Sequence, residues 1–171
     1  IISIIVIIRG VCVYFSFSKI KERNKIKLAN EFNLVKINYK ENQKQKSINK
    51  LVEIINKNDV TYSPLALYFL LDNNLIDDNT EINKLFDKLI NEINLDTEIK
   101  NLIIYKKALF NSDFTTENNL LKILNPIINS ESIWKSHSLY LLAEFFYSKN
   151  EKQKAKDFFN QIIILSNGNS D

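Results

Sequence analysis

Apolar residues recur through most of this chain at the i, i+3, i+4, i+7 spacing that places them on one face of an α-helix. Ile82, Leu85, Phe86, Leu89, Ile90 and Ile93 form one such stripe, and Ala155, Phe158, Phe159, Ile162 and Ile163 form another. Each predicts a helix of about three or four turns with one face to bury. Weaker stripes run through Leu28, Ala29, Phe32, Val35 and Tyr39, through Ile48, Leu51, Val52 and Ile55, and through Leu120, Leu121, Leu124, Ile127 and Ile128. Polar Asn, Asp, Lys and Ser separate them, and the period-two alternation of a half-buried strand is absent, so the expected class is all-α. After Pro64 the residues Leu65, Leu67, Tyr68, Phe69, Leu70 and Leu71 leave no polar face, which predicts a helix sandwiched between neighbours.

Helix ends carry their own chemistry. Ser63 before Pro64 reads as a capping hydroxyl ahead of a proline in the first turn, where its missing N–H costs nothing. Residues 78–81 and the pair Thr116-Glu117 read as starts with acid near the positive end of the helix dipole. With only 2 Gly and 2 Pro in 171 residues, tight-turn sheet folds and glycine-rich phosphate loops are excluded. Asn, which is abundant, is expected to stand in for Gly at helix ends, because it tolerates the left-handed conformation.

Residues 1–18, IISIIVIIRGVCVYFSFS, are a different material, with Arg9 as the only charge. The segment reads as a single transmembrane helix. Eighteen residues cover roughly 27 Å, slightly short of the ~30 Å hydrocarbon core, and the chain opens on Ile, so the anchor is expected to be N-terminally truncated. A signal peptide would end in small residues, and the stretch Phe15-Ser16-Phe17-Ser18 offers no such site. Arg9 could snorkel, pair with another membrane protein, or lie nearer an end of the complete span, and Cys12 reads as a small hydrophobe. Residues 19–57 carry a net charge of +7 and residues 58–171 a net −5. The basic part therefore reads as membrane-proximal, drawn to anionic headgroups, and not as a nucleic-acid surface, since no binding module accompanies it.

Ala29, Ala66, Ala108 and Ala143 each fall in the leading helix of a pair, 37, 42 and 35 residues apart. That period is the length of a helix-turn-helix repeat. With Ala143 at the eighth position of the tetratricopeptide pattern, Leu139, Leu142, Phe146, Ala155, Phe159 and Ile162 all fall on its packing positions. A small residue there lets two helix backbones approach, while the aromatic fills the space between successive pairs. The other pairs are degenerate: Lys107 occupies an apolar position, and residues 73–80 and 41–47 lengthen two links. The expectation is a tetratricopeptide-like helix-turn-helix solenoid over residues 19–171, preceded by the span.

The order of span, basic helix and degenerate pairs resembles the bacterial family of ancillary SecYEG translocon subunits (YfgM-like). Tyr62-Ser63-Pro64-Leu65-Ala66-Leu67 and the stretch from Ser130-Glu131-Ser132-Ile133-Trp134 to Lys154-Ala155-Lys156 carry the resemblance. It implies an inner-membrane protein with a periplasmic helical domain that works as a non-catalytic adaptor, its partners being translocon subunits, chaperones or exported proteins. The basic run after the span by itself favours the opposite, cytoplasmic side for the helical domain. An envelope scaffold coordinating cell-wall synthesis or division is the alternative of the same class, and an enzyme is the rival from another.

Catalytic chemistry is sparse. His137 is the sole imidazole, with neither a second His nor a nearby Cys, so no metal site, cofactor site or acid–base centre is expected. Asp72, Asp77 and Asp78 lack the glycine and alternate spacing of a calcium loop and read as solvent-facing caps. Trp134 is expected to pack on the preceding repeat. In the resembled repeats the concave face is lined by positions two, five, nine and twelve of each leading helix. Here these are His137, Tyr140, Glu144 and Tyr147, with Tyr105 and Leu109 one repeat earlier. Tyr suits adaptable protein binding, or it covers the seam between repeats.

Overall fold

The structure, a computed structural model, describes residues 2–39 and 43–168; the side chains of residues 2–8, 10–13, 17, 18, 21 and 168 lie outside what is described. The readings of Cys12 and of most of the 1–18 span fall on those side chains. The chain is all-helical, with no strand among the described residues. The α-helices are α1 (Ile2–Asn38), α2 (Lys44–Ile55), α3 (Tyr62–Asp72), α4 (Asn79–Glu92), α5 (Thr97–Asn111), α6 (Glu117–Ile128), α7 (Lys135–Ser148) and α8 (Lys152–Gly168). Among the described residues no helix is long and apolar enough to cross a membrane. The chain divides into two compact units, Ile1–Asn79 and Thr80–Asp171, so the boundary falls between the two helices that the sequence pairs around Ala66.

In the first unit α1 runs without interruption from the apolar segment into the basic one, and Arg9, residues 14–16 and residues 22–27 are exposed. Among the described residues its buried side chains lie in the last third. Phe32 and Val35 are buried, and the Phe32 ring meets Tyr62 and Phe69 of α3 at 6.1 Å. Helices α2 and α3 close the core with Leu51, Ile54, Ile55, Ala66, Leu67 and Leu70. α3 is not covered on all sides as its apolar sequence suggests, since Leu65 is exposed. The long link after α3 instead supplies Leu75 and Ile76 to the core, with Asp77 and Asp78 left in solvent.

The start of α3 corrects the reading of Ser63. Asp59 Oδ1 accepts the backbone N–H groups of Thr61 and Tyr62 at 2.9 and 2.8 Å, so the aspartate caps the helix. Ser63 lies inside α3, fully buried, and its hydroxyl donates to the Ile54 carbonyl at 3.1 Å. That carbonyl belongs to the last turn of α2, where helical acceptors lack intrahelical partners, so the hydroxyl joins two helix ends.

Asparagine does take the role of glycine. Asn58, Asn74 and Asn150 have φ of 54°, 48° and 62°, and no described glycine has a positive φ. After α3, Leu75 N–H donates to the Leu70 carbonyl and Asn74 N–H to that of Leu71; after α7, Glu151 and Asn150 repeat the pattern onto Phe146 and Tyr147. Both are Schellman closures with Asn at the left-handed position.

In the second unit α5 pairs with α6 and α7 with α8, while α7 also packs on both α5 and α6. Ala108 and Ala155 are buried at these crossings, among Leu120, Leu124, Ile127, Leu142 and Phe146, and Ala143 of α7 is fully buried as well. Phe146 stacks on Phe158 with centroids 5.5 Å apart. α4 meets α5 through reciprocal amide hydrogen bonds between Asn83 and Asn111, both 2.9 Å, and through Asp87, 2.6 Å from Lys107. This ion pair explains how a lysine sits at an otherwise apolar repeat position. The α8 stripe is covered less than its periodicity suggests: Phe158, Phe159 and Ile162 are half-buried, and Ile163 is 55% exposed.

Candidate functional site

Residues that the repeat register assigns to one face are brought together on α5 and α7. Tyr105 of α5 and His137 and Tyr140 of α7, with Ser136 and with Ile162 of α8, line an open hollow of about 250 Å³. Leu109 lies four residues after Tyr105, and Glu144 and Tyr147 lie four and seven after Tyr140, spacings that keep each set on one helix face. Leu109 is 48% exposed, Tyr140 53% and Tyr147 63%, and His137 and Glu144 are also exposed. Tyr105 is half-buried.

The link between α6 and α7 fixes this geometry. Glu98, in the first turn of α5, accepts the Ser132 hydroxyl at 2.8 Å and the Ile133 N–H at 3.3 Å. Ser132 Oγ in turn accepts the Trp134 N–H at 3.1 Å. One carboxylate thus holds the entry to α7 onto the preceding hairpin. Trp134 stacks on Tyr105, with centroids 5.8 Å apart and planes 20° from parallel, and lies 5.4 Å from His137. It packs on the preceding pair as its position predicts. On the other side of the hollow Phe159 meets Tyr140 edge-on at 5.9 Å.

Electrostatics distinguish the two tyrosines. The Glu144 charge, reinforced by a hydrogen bond from the Tyr140 hydroxyl to its carboxylate, raises the Tyr140 pKa above the usual phenol value. Tyr105 is raised by burial alone. Among the described residues no group of three or more His, Cys, Asp or Glu side chains is placed to hold a metal ion.

Two larger hollows, of about 700 and 480 Å³, flank the α1–α2 crossing in the first unit. Both include Glu31 and Glu53, and Lys50 lies 3.2 and 3.0 Å from these carboxylates. Their charges are committed to one another. The hollow on α5 and α7 differs in presenting aromatic faces and no lysine or arginine on its lining.

Sequence reasoning placed Tyr105, His137 and Tyr140 on this face but missed the contributions of Ser136, Ile162 and Glu98. Ile162 reads as core because it falls on a stripe. The 34-residue separation of Glu98 and Ser132, one repeat length, is the signal that could have paired those two. No family model matches this chain, and no curated protein or solved structure matches it at a significant level.

Proposed function

We propose that this chain is a non-catalytic, membrane-anchored adaptor whose second unit is a tetratricopeptide-like stack that docks polypeptide across the exposed face of α5 and α7. The observation that carries the reading is a division of labour on the same two helices. Ala108 of α5 and Ala143 of α7 are fully buried, while Leu109, Tyr140 and Tyr147 stay in solvent although nearby apolar side chains are packed away. Broad, rigid aromatic side chains left exposed on a stable scaffold are suited to protein contact.

The anchor rests on the sequence of residues 1–18, and the basic charge of residues 19–57 suits the headgroup region beside it. On this reading the protein resides in a bacterial inner membrane with its helical domain in the periplasm, beside the translocon, in contact with channel subunits, chaperones or exported chains. The test is recovery from membranes after mild crosslinking. Co-purification with translocon subunits is the expected result. Recovery with cell-wall synthesis or division proteins would replace the partner, and recovery with only ribosomes or soluble enzymes would overturn the reading.

A further inference from the structure

The hollow on α5 and α7 has a character that the docking reading leaves open. Its volume of about 250 Å³ falls below the range of pockets that enclose whole small molecules, ~300–1,000 Å³, so it accommodates one side-chain head group. Three of its five lining residues, Tyr105, His137 and Tyr140, are rings, and the Tyr105 ring is held in place by Trp134 stacked on it. Aromatic faces carry negative quadrupole potential and attract cations. A carboxylate, that of Glu144, is joined to this ring set by its hydrogen bond with Tyr140. An anion would meet repulsion from both features, and a neutral apolar group would gain nothing from the Glu144 carboxylate. A cation gains from each. Between the two common cations, a guanidinium is planar, stacks on rings and can engage a carboxylate through two N–H groups, whereas an ammonium is a strongly hydrated point charge.

We propose that the Tyr105–His137–Tyr140 hollow binds an arginine side chain of the docked polypeptide, with the guanidinium against the rings and paired to Glu144. The inference rests on the docking reading and names the residue class that the docked chain must present.

Trp134 is the sole tryptophan and touches two of the rings, so its fluorescence reports occupancy. The full chain is titrated with N-acetyl-arginine amide, with N-acetyl-citrulline amide as the uncharged isostere, at constant ionic strength. The arginine probe is expected to give a saturable change in roughly the millimolar range, with citrulline about tenfold weaker or worse. Glu144→Gln and Tyr140→Ala, both at exposed positions, should each weaken the arginine probe about tenfold while leaving the helical circular dichroism unchanged. Equal binding of the two probes, or no saturable response to either, would overturn the proposal. The docking reading is tested separately with a photo-crosslinker at Leu109. Adducts there together with equal probe binding sink only the arginine site; probe discrimination without adducts sinks the docking reading and leaves a guanidinium-binding hollow.

Discussion

In the second unit Ala108 of α5 and Ala143 of α7 sit fully buried, whereas in the first unit Ala29, which holds the corresponding place in the sequence, lies only half-buried. The difference lies in what surrounds each alanine. Ala143 lies on α7, which packs on its hairpin partner α8 and on both helices of the preceding hairpin, and Ala108 sits in the apolar cluster they share. Around Ala29 the helix is the long α1, exposed through residues 22–27, and among its described residues only Phe32 and Val35 are buried. A small residue at the right interval allows close approach, and a neighbour on each side is what turns that permission into burial.

The largest test of this contrast is Phe146→Ala. Phe146 is buried, stacked on Phe158 and covered by the Lys154 ammonium 4.9 Å from its ring, so its loss should cost about 3–5 kcal/mol and melt the second unit first. Chemical denaturation followed by hydrogen exchange in each unit would show it. Next come the alanines. Ala143→Leu and Ala108→Leu should overpack their crossings at a cost of ~1–3 kcal/mol, while Ala29→Leu should be nearly neutral. Equal midpoints for all three variants would break the contrast.

The asparagine turns should behave alike in both units. Asn74→Ala and Asn150→Ala each force a Cβ-bearing residue without Asn's tolerance into the left-handed region, at about 1 kcal/mol apiece. A difference larger than that between the units would tie the closures to the stacking after all.

A further expected effect is alkaline and, in the first unit, centres on Tyr68. Burial pushes the Tyr68 pKa from 10.0 up to about 12. Between those values the unfolded chain has released a proton that the folded one retains, so stability should fall as pH rises from about 10 to about 12. Tyr68→Phe should flatten that slope, as measured by denaturant midpoint against pH.

Much of the fold was legible because periodicity reports which face of a helix is apolar. The stripes through Phe86 and Leu89, and through Leu120 and Leu124, are buried as read, and the excess of Asn over Gly foretold the left-handed turns. Periodicity does not report how much partner surface exists. Ile163 on α8 is therefore exposed despite its place on a stripe, and Leu75 and Ile76, too few to form a stripe, are buried in a link. Ser63 was misread for a local reason: Asp59, four residues earlier, reaches the free N–H groups first and releases the hydroxyl to the end of α2. At the candidate site the register supplied the face and the place of Trp134, but the hollow also depends on Ile162 arriving from α8, and single-helix patterns carry no such information.

Whether the α5–α7 face makes the contacts decides the functional reading. A photo-crosslinking residue placed at Leu109 or Tyr147, and for comparison at Ile163 of α8, measures this directly in native membranes. Adducts with translocon subunits or chains in transit from Leu109 and Tyr147, and none from Ile163, are the predicted result. Adducts from Ile163 alone, or none from any of the three positions, would contradict it.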